Sequence, residues 1–240
     1  MSETKLEVCV DTLDSAKSAL DGGADELEVC SCIIQGGFTP SPGLLKEIIK
    51  LEPVINVLIR CRGGSDFIYT EEEMTTMLSD IEFYKEMGVN SFIFAALTDE
   101  QEVDKVNCAR VIQQAHPLPV SFHNAYDLCK DPVRGIEDII ELGFTRVLPS
   151  GPHPSGGDED LKCLKDLLEK YGDKIEIMPG AGINLDNANM YSRAGFRIIH
   201  CGCKKVRRFP KLRGLELGKN DVFITDVDIV MKIKNNLNEM

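Results

Sequence analysis

The sequence predicts a (β/α)8 TIM barrel, and three observations predict it. Eight short runs rich in β-branched residues alternate with eight longer helix-like segments. The spacing averages about 30 residues per unit, the length of one strand, one helix and their turns. The segment after the first run, VDTLDSA (10–16), contains no glycine, whereas an open doubly wound sheet carries a Gly-rich turn there. No linker or low-complexity tract divides the chain, so one domain is expected over residues 1–240.

Taken in order, LEVCV (6–10) sets Leu6, Val8 and Val10 on one side and Glu7, Cys9 and the following Asp11 on the other. A helix over 12–21 ends at Gly22. ELEVC (26–30) sets Leu27 and Val29 against Glu26, Glu28 and Cys30, and a helix over 42–51 follows. VINVLIR (54–60) sets Ile55, Val57 and Ile59 against Asn56, Leu58 and Arg60, with Arg62 next on that side. The helix over 71–87 starts at Thr70 with three glutamates in its first turn, where the helix dipole favours negative charge, and Gly88 closes it. SFIFAAL (91–97) leads to a helix over 101–115. PVSFH (119–123) sets Val120 and Phe122 against Ser121 and His123. Asp131 then reads as an N-cap and Pro132 as the first position of a helix over 132–142 that stops at Gly143. TRVLPS (145–150) precedes a helix over 158–171, and KIEIMP (174–179) precedes one over 185–194, these ending at Gly172 and Gly195. FRIIHC (196–201) sets Ile199 and Cys201 against Ile198 and His200. A long basic loop, 202–222, holds Lys204, Lys205, Arg207, Arg208, Lys211 and Arg213 before the last helix, 225–238.

The outer face of a barrel strand meets apolar helices, so the uniformly apolar sets point outward. Glu7, Cys9, Asp11, Glu28, Cys30, Arg60, His123 and His200 then lie in or above the lumen. Buried carboxylates without partners cost several kcal/mol each, on the order of the desolvation of one ion. Arg60 and Arg62 are the expected partners. His123, at a C-terminal strand end, is the best general acid–base candidate, because an imidazole titrates near neutral pH; Asp11, Glu28, Glu7 and Asp127 are carboxylates that could orient it. Gly180-Ala181-Gly182 before a helix start has the form of a phosphate-binding turn, and Lys204 with Arg60 and Arg62 would supply charge for a small anionic metabolite.

Composition removes other classes. A net charge of −12 and 6% aromatic residues without tryptophan argue against nucleic acid and anionic membranes as partners. No apolar run approaches the ~20 residues that span a bilayer, and MSETKLEVCVD has neither the basic nor the apolar region of a signal peptide. Nine cysteines, an odd number at irregular spacing, read as reduced thiols in a cytoplasmic protein.

LEVC occurs at 6–9 and again at 27–30. Cys9 and Cys30 therefore take corresponding places on neighbouring strands about 4.8 Å apart, and barrel stagger shifts adjacent strands, so their sulfurs need not touch. The residues alone leave two readings: inert buried thiols, or two soft ligands sharing one ion. Cu(I) accepts such low coordination, while zinc needs further ligands, for which Cys32 or His123 are available. Cys201 and Cys203 read as structural.

The sequence resembles the CutC family, named for copper homeostasis, through LEVCVD (6–11), ADELEVC (24–30), GGFTPSPG (36–43), IRCRGGSDF (59–67), SFHNAYD (121–127), LPSG (148–151), MPGAGI (178–183) and IHC (199–201), with TDVDIV (225–230) near the end. The resemblance implies a TIM barrel, a homo-oligomer, and Cu(I) held by two cysteines that match Cys9 and Cys30. It leaves open whether there is catalysis. Six positions depart from the family pattern: Cys61 stands for a proline, Asn124 for an arginine, Tyr126 for a phenylalanine, Pro149 for a threonine, Ala181 for a glycine and Lys204 for an arginine. The leading expectation is a copper ion bound for buffering or trafficking; the alternative is an enzyme acting on a small phosphate- or carboxylate-bearing metabolite through His123.

Overall fold

The computed structural model describes residues 3–153, 156–208 and 221–238. Eight parallel strands form one sheet: β1 (Lys5–Val10), β2 (Glu26–Val29), β3 (Val54–Leu58), β4 (Ser91–Phe94), β5 (Val120–Phe122), β6 (Arg146–Val147), β7 (Glu176–Ile177) and β8 (Ile198–Cys201). Their order, β7-β6-β5-β4-β3-β2-β1-β8, is that of a barrel opened between β7 and β8. The opening is bridged by the His200 N–H, which donates to the Pro179 carbonyl at 2.8 Å. The fold is thus a nearly closed (β/α)8 barrel, as expected.

The helices are α1 (Leu13–Asp21), α2 (Pro42–Ile49), α3 (Glu71–Glu86), α4 (Lys105–Ala115), α5 (Pro132–Leu142), α6 (Asp158–Tyr171), α7 (Ala188–Arg193) and α8 (Val227–Asn238). Their starts follow the side chains that cap them. Thr70 and Glu73 form a reciprocal capping box at α3, and the Asp131 carboxylate accepts from the Val133 and Arg134 N–H groups at α5. Gly143 ends α5 at φ 92°, a left-handed conformation that favours glycine. Two starts differ from expectation by three residues or more. α4 begins at Lys105 because Leu97 and Val103 pair across a tight turn and Asp104 then caps Asn107 N–H. α7 begins at Ala188 because the Asn184 N–H donates to the Asn187 side chain and the Asp186 N–H to the Asn184 side chain, which holds 184–187 in a turn.

Alternation along the strands sets the layers. Leu6, Val8, Val10, Leu27, Val29, Ile55, Val57 and Ile59 belong to the main apolar core beneath the helices. Each such side chain contributes about 1.5–3 kcal/mol by leaving water. The inward set is different in kind: Cys9 and Cys30 pack with Leu58 and Ile93, while Leu148, Met178 and Ile198 form a separate small cluster.

The segment expected as a basic loop carries two further strands. β9 (Lys204–Arg208) pairs antiparallel with β10 (Asp221–Thr225), Val206 opposite Phe223 and Lys204 opposite Thr225. The ribbon is tied to the barrel where the Thr225 N–H donates to Ser15 Oγ at 3.2 Å. Lys211 and Arg213 lie outside the described residues.

Candidate functional site

The lumen holds two polar layers. In the lower one, Arg146 from β6 reaches Glu26 at 2.9 Å, Glu176 at 2.7 Å and Glu7 at 3.5 Å. Asn56 donates to Glu7 at 2.5 Å and Glu26 at 3.1 Å, and accepts from Ser91. Burial raises the Glu26 carboxyl, but the charge and hydrogen bonds of Arg146 outweigh it and leave the group below its ordinary value.

The partner of the buried carboxylates is therefore Arg146, which the sequence analysis did not single out. Arg60 and Arg62, named for that role and for anion binding, do other work. Arg60 donates to the carbonyls of Gln35, Gly37 and Gly64, and its guanidinium lies over the rings of Phe38 and Phe67. It binds the loop after β2 to the loop after β3. Arg62 pairs with Glu73 at 2.5 Å and Asp66 at 3.1 Å and donates to the Ile68 carbonyl. Both residues lie past the end of β3, where strand alternation no longer sets direction. Neither lines the cavity described below.

The upper layer contains the sulfurs. In the β1–β2 register Cys9 stands opposite Glu28, so Cys30 lies one pleat further along. The stagger of a barrel sheet accounts for the offset. The side chains still converge: Cys9 Sγ is 3.6 Å from Cys30 Sγ and 3.2 Å from Glu28 Oε1. These three donor atoms lie within 4.8 Å of one another, and among the described residues neither Cys32 nor His123 joins them. His200 Nδ1 stands 2.8 Å from Glu7 and 3.8 Å from Glu28 Oε2.

Electrostatics follow from this crowding. The hydrogen bond to Cys30, burial and the Glu28 charge push the Cys9 thiol well up. The bond to Cys9 lowers the Cys30 thiol, but burial with Glu28 and Asp11 outweighs it and raises the group. Burial also raises the Glu28 carboxyl against the pull of His200. For His200, burial opposes the charge, yet Glu28, Cys9 and Glu7 together hold the imidazolium well above its usual range. His123 goes the other way: burial, then the charges of His200 and Arg60, depress it to about 3.

Above these groups opens a cavity of about 600 Å³, walled in part by Cys9, Glu28, His123, His200 and Lys204. Two buried polar atoms of its wall residues, Glu28 Oε2 and His123 Nδ1, have no hydrogen-bond partner. The remaining expected site residues serve as supports. Asp11 accepts from the Ile33 N–H at 3.1 Å and so fixes the loop after β2. Asp127 accepts from the Ser150 N–H at 2.9 Å, with its carboxyl raised to about 6 by burial. Gly180 is a packing position, since a Cβ there would meet Leu148 at 2.6 Å. Of the five residues expected to bind an anion, Gly182 and Lys204 reach the cavity wall.

Ala181, one of the departures from the family pattern, adopts φ 53° on that wall. An alanine there is strained, so Ala181→Gly is expected to stabilise the fold by about 0.5–1 kcal/mol. Thermal unfolding checks it; an unchanged or lower midpoint would mean the strain is relieved elsewhere.

Comparison with known proteins came out consistently. The CutC family model matches residues 4–205. A copper homeostasis protein cutC homolog from Caenorhabditis elegans is 37% identical over 222 residues, covering 91% of this chain and 88% of the relative. The human copper homeostasis protein cutC homolog is 39% identical over 204 residues, covering 84% of this chain and 74% of the relative. The crystal structure of the CutC protein from Streptococcus agalactiae superposes with a TM-score of 0.77 at 28% identity, covering 83% of this chain and 98% of that one.

Proposed function

Because the chain belongs to the CutC family, we propose that it serves copper homeostasis inside the cell by carrying one Cu(I) ion between Cys9 and Cys30. The observation that carries this reading is the 3.6 Å approach of the two buried sulfurs at the C-terminal end of adjoining strands. Two thiolates suit a soft monovalent ion of low coordination number. Cys9 stands on the cavity wall and Cys30 behind it, so an ion entering from the mouth meets Cys9 first. Both thiols are raised, so they are protonated in the free protein and uptake expels their protons. His200 and Lys204 supply positive charge beside the ion and offset Glu28.

Under strictly reducing conditions, Cu(I) titrated against a chelator of known affinity should occupy one site per chain. In Cys9→Ala/Cys30→Ala the affinity should fall by more than ~100-fold, beyond what loss of a supporting partner costs. Equal binding by the variant would place the ion elsewhere.

A second reading, an enzyme acting on a small metabolite, is favoured by the unpartnered Nδ1 of His123 beside the cavity. With Arg60 and Arg62 committed to loops and His200 paired with Glu7 and Glu28, Lys204 is, among the described residues, the wall cation with no carboxylate partner for an anionic group. Screening small phosphates and carboxylates for thermal stabilisation separates this reading from the first. A true ligand at about 100 times its Kd adds ~2.7 kcal/mol, and a flat screen removes the reading.

A further inference from the structure

A linear ion would part these two sulfurs by about 1 Å, whereas a bent one would hold them nearly where they stand. With metal–sulfur bonds of ~2.3 Å, a linear dithiolate site needs its sulfurs ~4.6 Å apart, and a tetrahedral one ~3.8 Å. The observed 3.6 Å matches the second. A bent pair needs further donors, and one is already in place. Glu28 Oε1 is 3.2 Å from Cys9 Sγ, and the donor atoms of Cys9, Glu28 and Cys30 fall within 4.8 Å of one another. Glu28 Oε2 is buried with no hydrogen-bond partner and His200 Nδ1 stands 3.8 Å away, so a direct bond to a cation is open to it. Cys9 and Glu28 both face the cavity, so a fourth coordination position would open into it.

We infer that Cys9, Glu28 and Cys30 form a three-ligand site for a zinc-like divalent cation, with the fourth position turned to the cavity. This rests on the reading of Cys9 and Cys30 as metal ligands, and adds Glu28 and a second class of ion. Three protein ligands and an open position are the arrangement of zinc sites that exchange a water or a substrate, whereas closed structural sites use four. His200, between Glu7 and Glu28, orients the carboxylate from behind.

The test uses the full chain, reduced and metal-free, with Zn(II) alone and Cu(I) alone as probes, each against a competing chelator. Glu28→Gln keeps the shape of the side chain and removes its charge. It should bind zinc at least ~30-fold more weakly while its Cu(I) affinity stays within about threefold, because a soft monovalent ion relies on sulfur. Cobalt(II) added to the unaltered protein should give the intense visible bands of a four-coordinate, thiolate-ligated ion, a readout that does not depend on any variant folding. Zinc binding unchanged in Glu28→Gln, equal loss of both metals, or the weak spectrum of six-coordinate cobalt would each overturn the inference. The two readings separate cleanly. Cu(I) bound without zinc leaves the copper proposal standing and removes this one; zinc bound without Cu(I) does the reverse.

Discussion

Arg146→Met is expected to cost the protein about 3–5 kcal/mol of stability at neutral pH, the penalty for removing one partner of a buried ion cluster. Three carboxylates depend on this guanidinium: Glu7, Glu26 and Glu176 lie 3.5, 2.9 and 2.7 Å from it. Methionine fills similar volume but leaves them facing one another in the lumen. The exposed pair of Arg110 and Glu71 provides the contrast, since Arg110→Met should cost no more than about 1 kcal/mol. The loss also has a pH signature. Glu26 is held below its ordinary value in the intact protein, so its contribution is complete above about 4.5 and disappears as pH falls through the folded value. The difference between parent and Arg146→Met, measured by urea unfolding, should therefore be greatest near neutrality and shrink in acid. A difference under about 1 kcal/mol at pH 7 would show that the lower layer does not depend on this charge.

The second large effect concerns His123. In the folded protein its imidazole stays neutral down to about pH 3, while in the unfolded chain it takes up a proton near 6.5. Between those values the unfolded state binds the extra proton, so stability falls as the solution is acidified. The slope from this group approaches ~1.4 kcal/mol per pH unit. Its contribution is fully present above 6.5 and declines down to about 3. Glu28 and Asp127, raised by burial, titrate in the opposite sense and Glu26 in the same sense, so the parent curve alone mixes these groups. Comparison with His123→Gln isolates the histidine. From pH 6 to pH 4 the variant should gain on the parent by ~1 kcal/mol per unit. Parallel curves would mean that the imidazole is protonated in the folded state.

How far the sequence could be read depended on where strand geometry governs. Within β1, β2 and β8 the period of two placed Glu7, Cys9, Glu28, Cys30 and His200 on the lumen side, and the structure has them there. The same rule applied to TRVLPS turns Arg146 inward, opposite the outward Val147, which is where the cluster's cation stands. For Arg60 and Arg62 the rule was carried past Leu58, the last residue of β3, into a stretch where carbonyls and loop carboxylates decide direction. The offset of Cys30 from Cys9 comes from barrel shear, a property of the closed sheet that no single strand displays. KKVRR reads as a solvated basic loop because its partner, DVFIT, is distant in the chain and the pairing is through backbone. Burial and the charges of His200 and Arg60 depress His123, while Glu28, Cys9 and Glu7 raise His200 against its burial; these groups come together only in three dimensions.

The central claim is that the inward sulfurs of β1 and β2 form the metal centre. X-ray absorption at the copper edge, on reduced protein loaded with one equivalent of Cu(I), addresses it most directly. A first shell dominated by two sulfur scatterers is expected, and it should disappear in Cys9→Ala/Cys30→Ala. A first shell of nitrogen and oxygen alone in the unaltered protein would contradict it.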